Sequence, residues 1–205
     1  MMSSKSTESK SPLRKTGLPG RLSGFFYAKS TLVTALLATA VFAGYTVLIL
    51  SGQGKAFEVA SSSVKSLGTS LGFGQAEVLA FFTERSVEQI SAYITFSQVW
   101  DSLFGVIYGV MYVVWVSMLF KPYSLKVGLL NLLPFGQVLF DWLENFSLAS
   151  LSNQYLADGT ISSSIAQLAS TASSIKWVFA LLVYGVILVG IVFRIVGALK
   201  RRNQR

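Results

Sequence analysis

Four long apolar runs alternate with polar stretches along the chain, at residues 30–50, 96–120, 127–151 and 177–199. A helix rises 1.5 Å per residue, so each run is long enough to cross the ~30 Å hydrocarbon core of a bilayer. The pattern predicts an all-α fold, a bundle of four transmembrane helices. In the first run Ala38-Thr39-Ala40 and Val41-Phe42-Ala43 resemble signal-peptide cleavage sites, but the apolar stretch continues through both to Leu50. An uncleaved anchor is therefore expected. Ala35, Thr39 and Ala43 recur every four positions, a spacing that lets another helix approach closely.

Between the spans the pattern changes. Residues 1–28 are rich in Ser, Lys, Gly and Pro without apolar periodicity and read as a disordered, basic tail. Residues 51–95 form the one long connection. It has glycines at Gly68, Gly72 and Gly74, an apolar stretch over 76–82, and Ser86 with Gln89 spaced as a capping box. This connection is expected to be partly helical and to lie on the membrane surface. The six residues 121–126 force the second and third spans to be antiparallel neighbours. Residues 152–175 read as a Ser, Ala and Thr-rich loop with a surface helix around 161–171. The membrane domain is thus 29–199, followed by a basic tail at 200–205.

Composition narrows the class. Charged residues make up only 13% of the chain, about half the usual share of a soluble domain, which fixes an integral membrane protein. Cysteine and histidine are absent, which removes thiol nucleophiles, disulfides, imidazole catalysis and the usual zinc and haem ligands. No cofactor or metal is expected. The net charge of +8 lies at the ends of the apolar runs rather than on an aromatic-interleaved surface, so the expected partners are membrane lipids, a membrane-protein partner or a second copy, and not nucleic acid. Twelve Lys and Arg residues fall on the side of the two termini and the 121–126 connection, against four on the other side. That bias predicts both termini to be cytoplasmic, without naming the membrane.

The candidate chemistry lies inside the spans. Asp141, Glu144 and Asn145 share one helical face in the third, with Val138 and Pro134 further along it, and ionisable groups at membrane depth mark a functional site or a buried pairing. Asn145-Phe146-Ser147 matches a glycosylation sequon, but its place in a span discounts it. By rise per residue Asp141 and Asp101 sit at matching depths on antiparallel helices, with Lys176 at the outer boundary and Tyr184 about 10 Å below it. Asp101, Phe104, Tyr108, Met111 and Tyr112 form one stripe on the second span. Pro134 is expected to kink the third helix, and Arg194 to reach back to the cytoplasmic interface.

These positions also carry a resemblance. Asp101 followed by Phe104 and Tyr108, then Asp141-x-x-Glu144-Asn145, then Lys176-Trp177, make residues 96–194 resemble a family of small four-helix integral membrane proteins with an intramembrane Asp-x-x-Glu-Asn motif. Gly105 stands where that family usually has a proline. The family has no assigned activity, so the resemblance implies a fold and candidate residues only; with Tyr184, which depth adds, the candidates are Asp101, Tyr108, Asp141, Glu144, Asn145, Lys176 and Tyr184. Three functions fit them. One is a non-enzymatic lipid- or partner-binding subunit. Another is an intramembrane enzyme on a lipophilic substrate with paired carboxylates, by analogy to membrane sterol isomerases. The last is a small proton-coupled transporter. The acids can equally serve helix register alone, paired with Lys176, Arg85 or backbone.

Overall fold

The computed structural model describes residues 17–64 and 66–203. It is helical throughout, with no strand among those residues. The elements are α1 (Leu18–Lys29), α2 (Leu32–Lys55), α3 (Gln75–Thr83), α4 (Val87–Val127), α5 (Pro134–Asp158) and α6 (Ser163–Arg202). Three of them, α2, α4 and α6, are long and apolar enough to cross a membrane. On α2 the side chains of Val33, Leu37, Val41 and Leu48 are exposed, and on α6 those of Leu181, Leu188, Val192 and Ile195. Apolar surface on that scale is stable only against lipid or another protein. The less apolar α5 packs between α4 and α6.

Helix α1 occupies part of the stretch expected to be a disordered tail; residues 1–16 lie outside the described residues. Pro19 sits in its first turn, where the missing N–H costs nothing. Its partner is tertiary, which composition cannot show. Ser23 donates to Asn131 Oδ1 at 2.7 Å, and Asn131 Nδ2 donates to Ser23 O at 3.1 Å and Ser117 Oγ at 2.9 Å. Lys121 donates to the last carbonyls of the α1 region, Ala28 O at 2.8 Å and Ser30 O at 3.3 Å. Thr31 and Thr34 then cap α2 reciprocally.

Pro134 corrects another expectation. It opens α5 instead of kinking it, because Gly128, at φ 61°, and a 3-10 turn at Leu130–Leu132 reverse the chain first. The third helix therefore starts seven residues later than the apolar run and continues to Asp158, where Gly159, at φ 74°, ends it in a left-handed cap. Ser162 caps α6 only three residues on, so the helix expected around 161–171 is the start of α6, and the rest of the expected 152–175 loop is almost entirely helix as well. The hairpin of α5 and α6 packs through small buried residues, Ala149 and Ser152 against Ala166, Ala169 and Ser173. Small side chains allow such close approach but carry no apolar signal. On α2, Ala35 is buried and Thr39 accepts from Trp115 Nε1 at 2.9 Å, whereas Ala43 is exposed and Phe42 takes the next inward position, stacked on Phe104.

The long connection does more than lie flat. Phe57, Leu67, Phe73, Phe81 and Phe82 form a core with Tyr93, Leu148 and Leu151 over one end of the bundle. Buried Arg85 holds it, donating to Phe57 O at 3.0 Å, Phe81 O at 2.7 Å and Val64 O at 3.2 Å. The Ser86 and Gln89 capping box forms as spaced. Glu84 accepts from Ser62 Oγ at 2.5 Å, Ser63 Oγ at 2.7 Å and Ser63 N at 3.0 Å, and these bonds hold its carboxyl below the usual 4.5. A depressed folded value contributes stability above the unfolded value, and that contribution is lost as pH falls through the folded one. Acid titration of thermal stability below about pH 5 should show this loss in the wild type and a shallower one in Glu84→Gln.

At the other end of α6, Arg194 donates to Leu119 O at 3.1 Å and Met118 O at 2.5 Å. It satisfies carbonyls near the end of the α-helical part of α4, a structural use of an arginine carried by an apolar helix.

Candidate functional site

Both α2 and α4 contain a π-helical stretch, Thr46–Leu50 and Phe96–Asp101, and the two face each other. Such stretches accommodate an extra residue and leave backbone groups to be satisfied from outside the ladder. Here Tyr45 donates its hydroxyl across the gap to Trp100 O at 2.8 Å, and Ser102 donates to Ser97 O at 2.9 Å. The π stretch of α4 ends on Asp101, which opens the stripe of Phe104, Tyr108 and Tyr112.

That stripe forms one wall of a cavity of about 290 Å³. Gln137 and Asp141 reach it from α5, Lys176, Trp177 and Tyr184 from α6, and Phe42 from α2. Ser66, Gly68 and Thr69 of the long connection close one end. The closure is fastened to α6, where Ser173 donates to Ser70 O at 2.6 Å, Ser174 to Leu71 O at 2.7 Å and Lys176 to Gly68 O at 2.9 Å. Gly105 has a packing role. A Cβ there would lie 3.0 Å from Asp141 Oδ2 and 3.3 Å from Trp142 Nε1, so glycine lets α4 and α5 meet beside the acid. Trp142 donates to Ser102 O at 2.9 Å across the same contact.

The charged groups are unevenly paired. Lys176 Nζ lies 3.1 Å from Asp141 Oδ1 and also donates to Glu144 Oε2. No salt bridge to Asp101 is present among the described residues. Glu144 and Asn145 are buried outside the cavity wall, with Glu144 completely enclosed and serving as an anchor for Lys176. Burial of Asn145 also removes the sequon from use. Arg85 is committed to the carbonyls of the long connection.

Of the candidate residues, Asp101, Tyr108, Asp141, Lys176 and Tyr184 share the cavity wall, and Glu144 and Asn145 stand behind it. Gln137 and Trp177 belong to the wall as well. Gln137 was legible, since it precedes Asp141 by one helical turn. The contributions of Ser66, Gly68 and Thr69 had no local signal. Two wall residues also present buried polar atoms without a hydrogen-bond partner, Gln137 Oε1 and Trp177 Nε1, while Tyr108 donates its hydroxyl to the Asp141 carboxylate. Each such group costs about 1–3 kcal/mol when left unsatisfied.

Comparison with protein families, with curated proteins and with solved structures finds no match. The site combines an aromatic chamber, an acid with a basic partner, an acid without one, and mixed donors and acceptors between them.

Proposed function

We propose that this protein is a four-span membrane protein, with α5 as the fourth span, that binds a lipophilic molecule bearing an amine or hydroxyl head. The observation that carries the reading is the cavity at Asp101, Asp141 and Lys176, whose remaining wall is largely aromatic. Small-molecule sites have this constitution, mostly apolar with a few convergent polar groups that fix orientation. Glu144 and Lys176 fix the side chain of Asp141, while Asp101, which accepts a hydrogen bond from Asn145 and has no salt bridge, receives the head.

The test is native mass spectrometry of the purified protein with its retained lipids. The wild type is expected to keep a discrete amphiphile, and Asp101→Asn to lose it at unchanged melting temperature. A wild type that carries only bulk phospholipid, indistinguishable from Asp101→Asn, would reject the binding reading. A catalytic variant of the same reading draws on the unequal partners of the two aspartates, which suit one as proton donor and the other as acceptor. It requires conversion of the retained amphiphile, which Asp101→Asn should abolish.

In this proposal the termini and residues 121–126 face the cytoplasm, supported by the twelve to four bias in Lys and Arg. The chain has no cysteine, so single exposed cysteines report topology directly. Ser163→Cys should react with an impermeant maleimide added to intact cells, and Asn203→Cys only after permeabilisation. The reverse pattern would invert the orientation.

A further inference from the structure

We infer that the ligand is a single-tailed cationic amphiphile, with its ammonium at Asp101 and its tail in a second, apolar cavity that continues the first. This rests on the binding reading above. The second cavity measures about 450 Å³ and lies between α2, α4 and α6, lined by Met111, Trp115, Ile187 and Ile191 among others. It shares Phe42, Tyr112 and Tyr184 with the polar cavity. Together the two fall within the ~300–1,000 Å³ typical of small-molecule sites.

Its polar atoms are already engaged. Tyr112 and Tyr184 hydrogen-bond to each other at 3.3 Å, and Trp115 donates to Thr39 at 2.9 Å. What remains is a hydrocarbon-like trough. From Lys176 to Ile191 along α6 is about 22 Å, so a ligand filling both cavities is long and lies roughly along the helices. The Tyr112 and Tyr184 rings meet edge to face, 5.7 Å between centroids, where head and tail regions join. Helix α2 packs on α4 but scarcely on α6, so the trough has a lateral opening through which a membrane-dissolved molecule can enter.

Charge selects the head. Asp101, Asp141 and Glu144 gather around a single lysine, and both salt bridges of that lysine go to the latter two. An ammonium at Asp101 supplies the missing counter-charge, in a cavity whose wall also carries the carboxylate of Asp141 and the amide of Gln137. A phosphate or carboxylate head would add like charge at the same place.

The probe is a long-chain primary amine with a diazirine midway along its tail, irradiated with the full-length protein in phosphatidylcholine vesicles and mapped by peptide mass spectrometry. Label is expected in residues 111–115 and 187–191. Excess unlabelled amine should displace it and the alcohol of equal chain length should not. Asp101→Asn should lower it about tenfold, the scale of one charge-assisted contact. Ile191→Trp, which fills the trough away from the acids, should lower it likewise. Equal displacement by the alcohol would overturn the cationic head. Displaceable label confined to residues 66–73 would overturn the tail path and leave the binding reading standing. Label spread over the exposed faces of α2 and α6, insensitive to competitor, would overturn both.

Discussion

Lys176→Met should destabilise the protein by about 3–5 kcal/mol, because it leaves two buried carboxylates, Asp141 and Glu144, without their shared counter-charge. Glu144 is fully enclosed and Asp141 nearly so, so neither regains water by a side-chain rotation alone. The substitution also removes the donor to Gly68 O, so the closure of the cavity should loosen with the pair. The measurement is thermal unfolding in detergent beside proteolytic sensitivity of residues 56–74. A triple variant, Lys176→Met with Asp141→Asn and Glu144→Gln, should recover most of the stability, since replacing a buried ion cluster is far cheaper than breaking it. If Lys176→Met melts with the wild type, the cluster does not hold the bundle together.

The next largest effect is expected at Gly190, where alanine should be destabilising by about 1–3 kcal/mol through overpacking. A Cβ there would lie 2.8 Å from Phe120 Cε2 and 2.9 Å from Leu119 Cβ, and the second of these belongs to the stem of its side chain and cannot swing aside. Gly185 sits on the same helix with nothing within 4 Å of its added Cβ. Gly185→Ala should be neutral or stabilising by up to about 1 kcal/mol, the helix preference of alanine over glycine. Opposite signs for one substitution at two positions on one helix would locate the α4 to α6 contact. Equal effects would remove that contact from the account.

The apolar runs mark the long helices, and rise per residue is enough to bring Asp101 and Asp141 to one depth, with Lys176 above them and Tyr184 on the same outer half. What escaped was tertiary in origin. Helix α1 depends on Asn131, more than a hundred residues away, and no period in 18–29 announces that partner. The helix expected around 161–171 forms, but it is continuous with the apolar helix and buries Ala166, Ala169 and Ser173, and small residues look alike on a surface and in a tight helix contact. Pro134 is legible as a break, but whether it interrupts a helix or starts one is decided by the reversal at Gly128, six residues before it. The closure from Ser66, Gly68 and Thr69 joins the cavity only through long-range bonds to α6.

The π-helical stretches make chain length itself a determinant of the chamber. Each residue of an ordinary helix advances about 100°. An extra residue absorbed at 96–101 lets one continuous rod turn Ile90 and Tyr93 toward the core over the bundle end and, further on, Asp101 and Tyr108 toward the cavity. Deleting a single residue there would swing one of those faces away while leaving composition and hydropathy nearly untouched. In an alignment with a straight-helix homologue, each π stretch would surface as an isolated one-residue gap, and those two gaps would mark the mouth of the chamber.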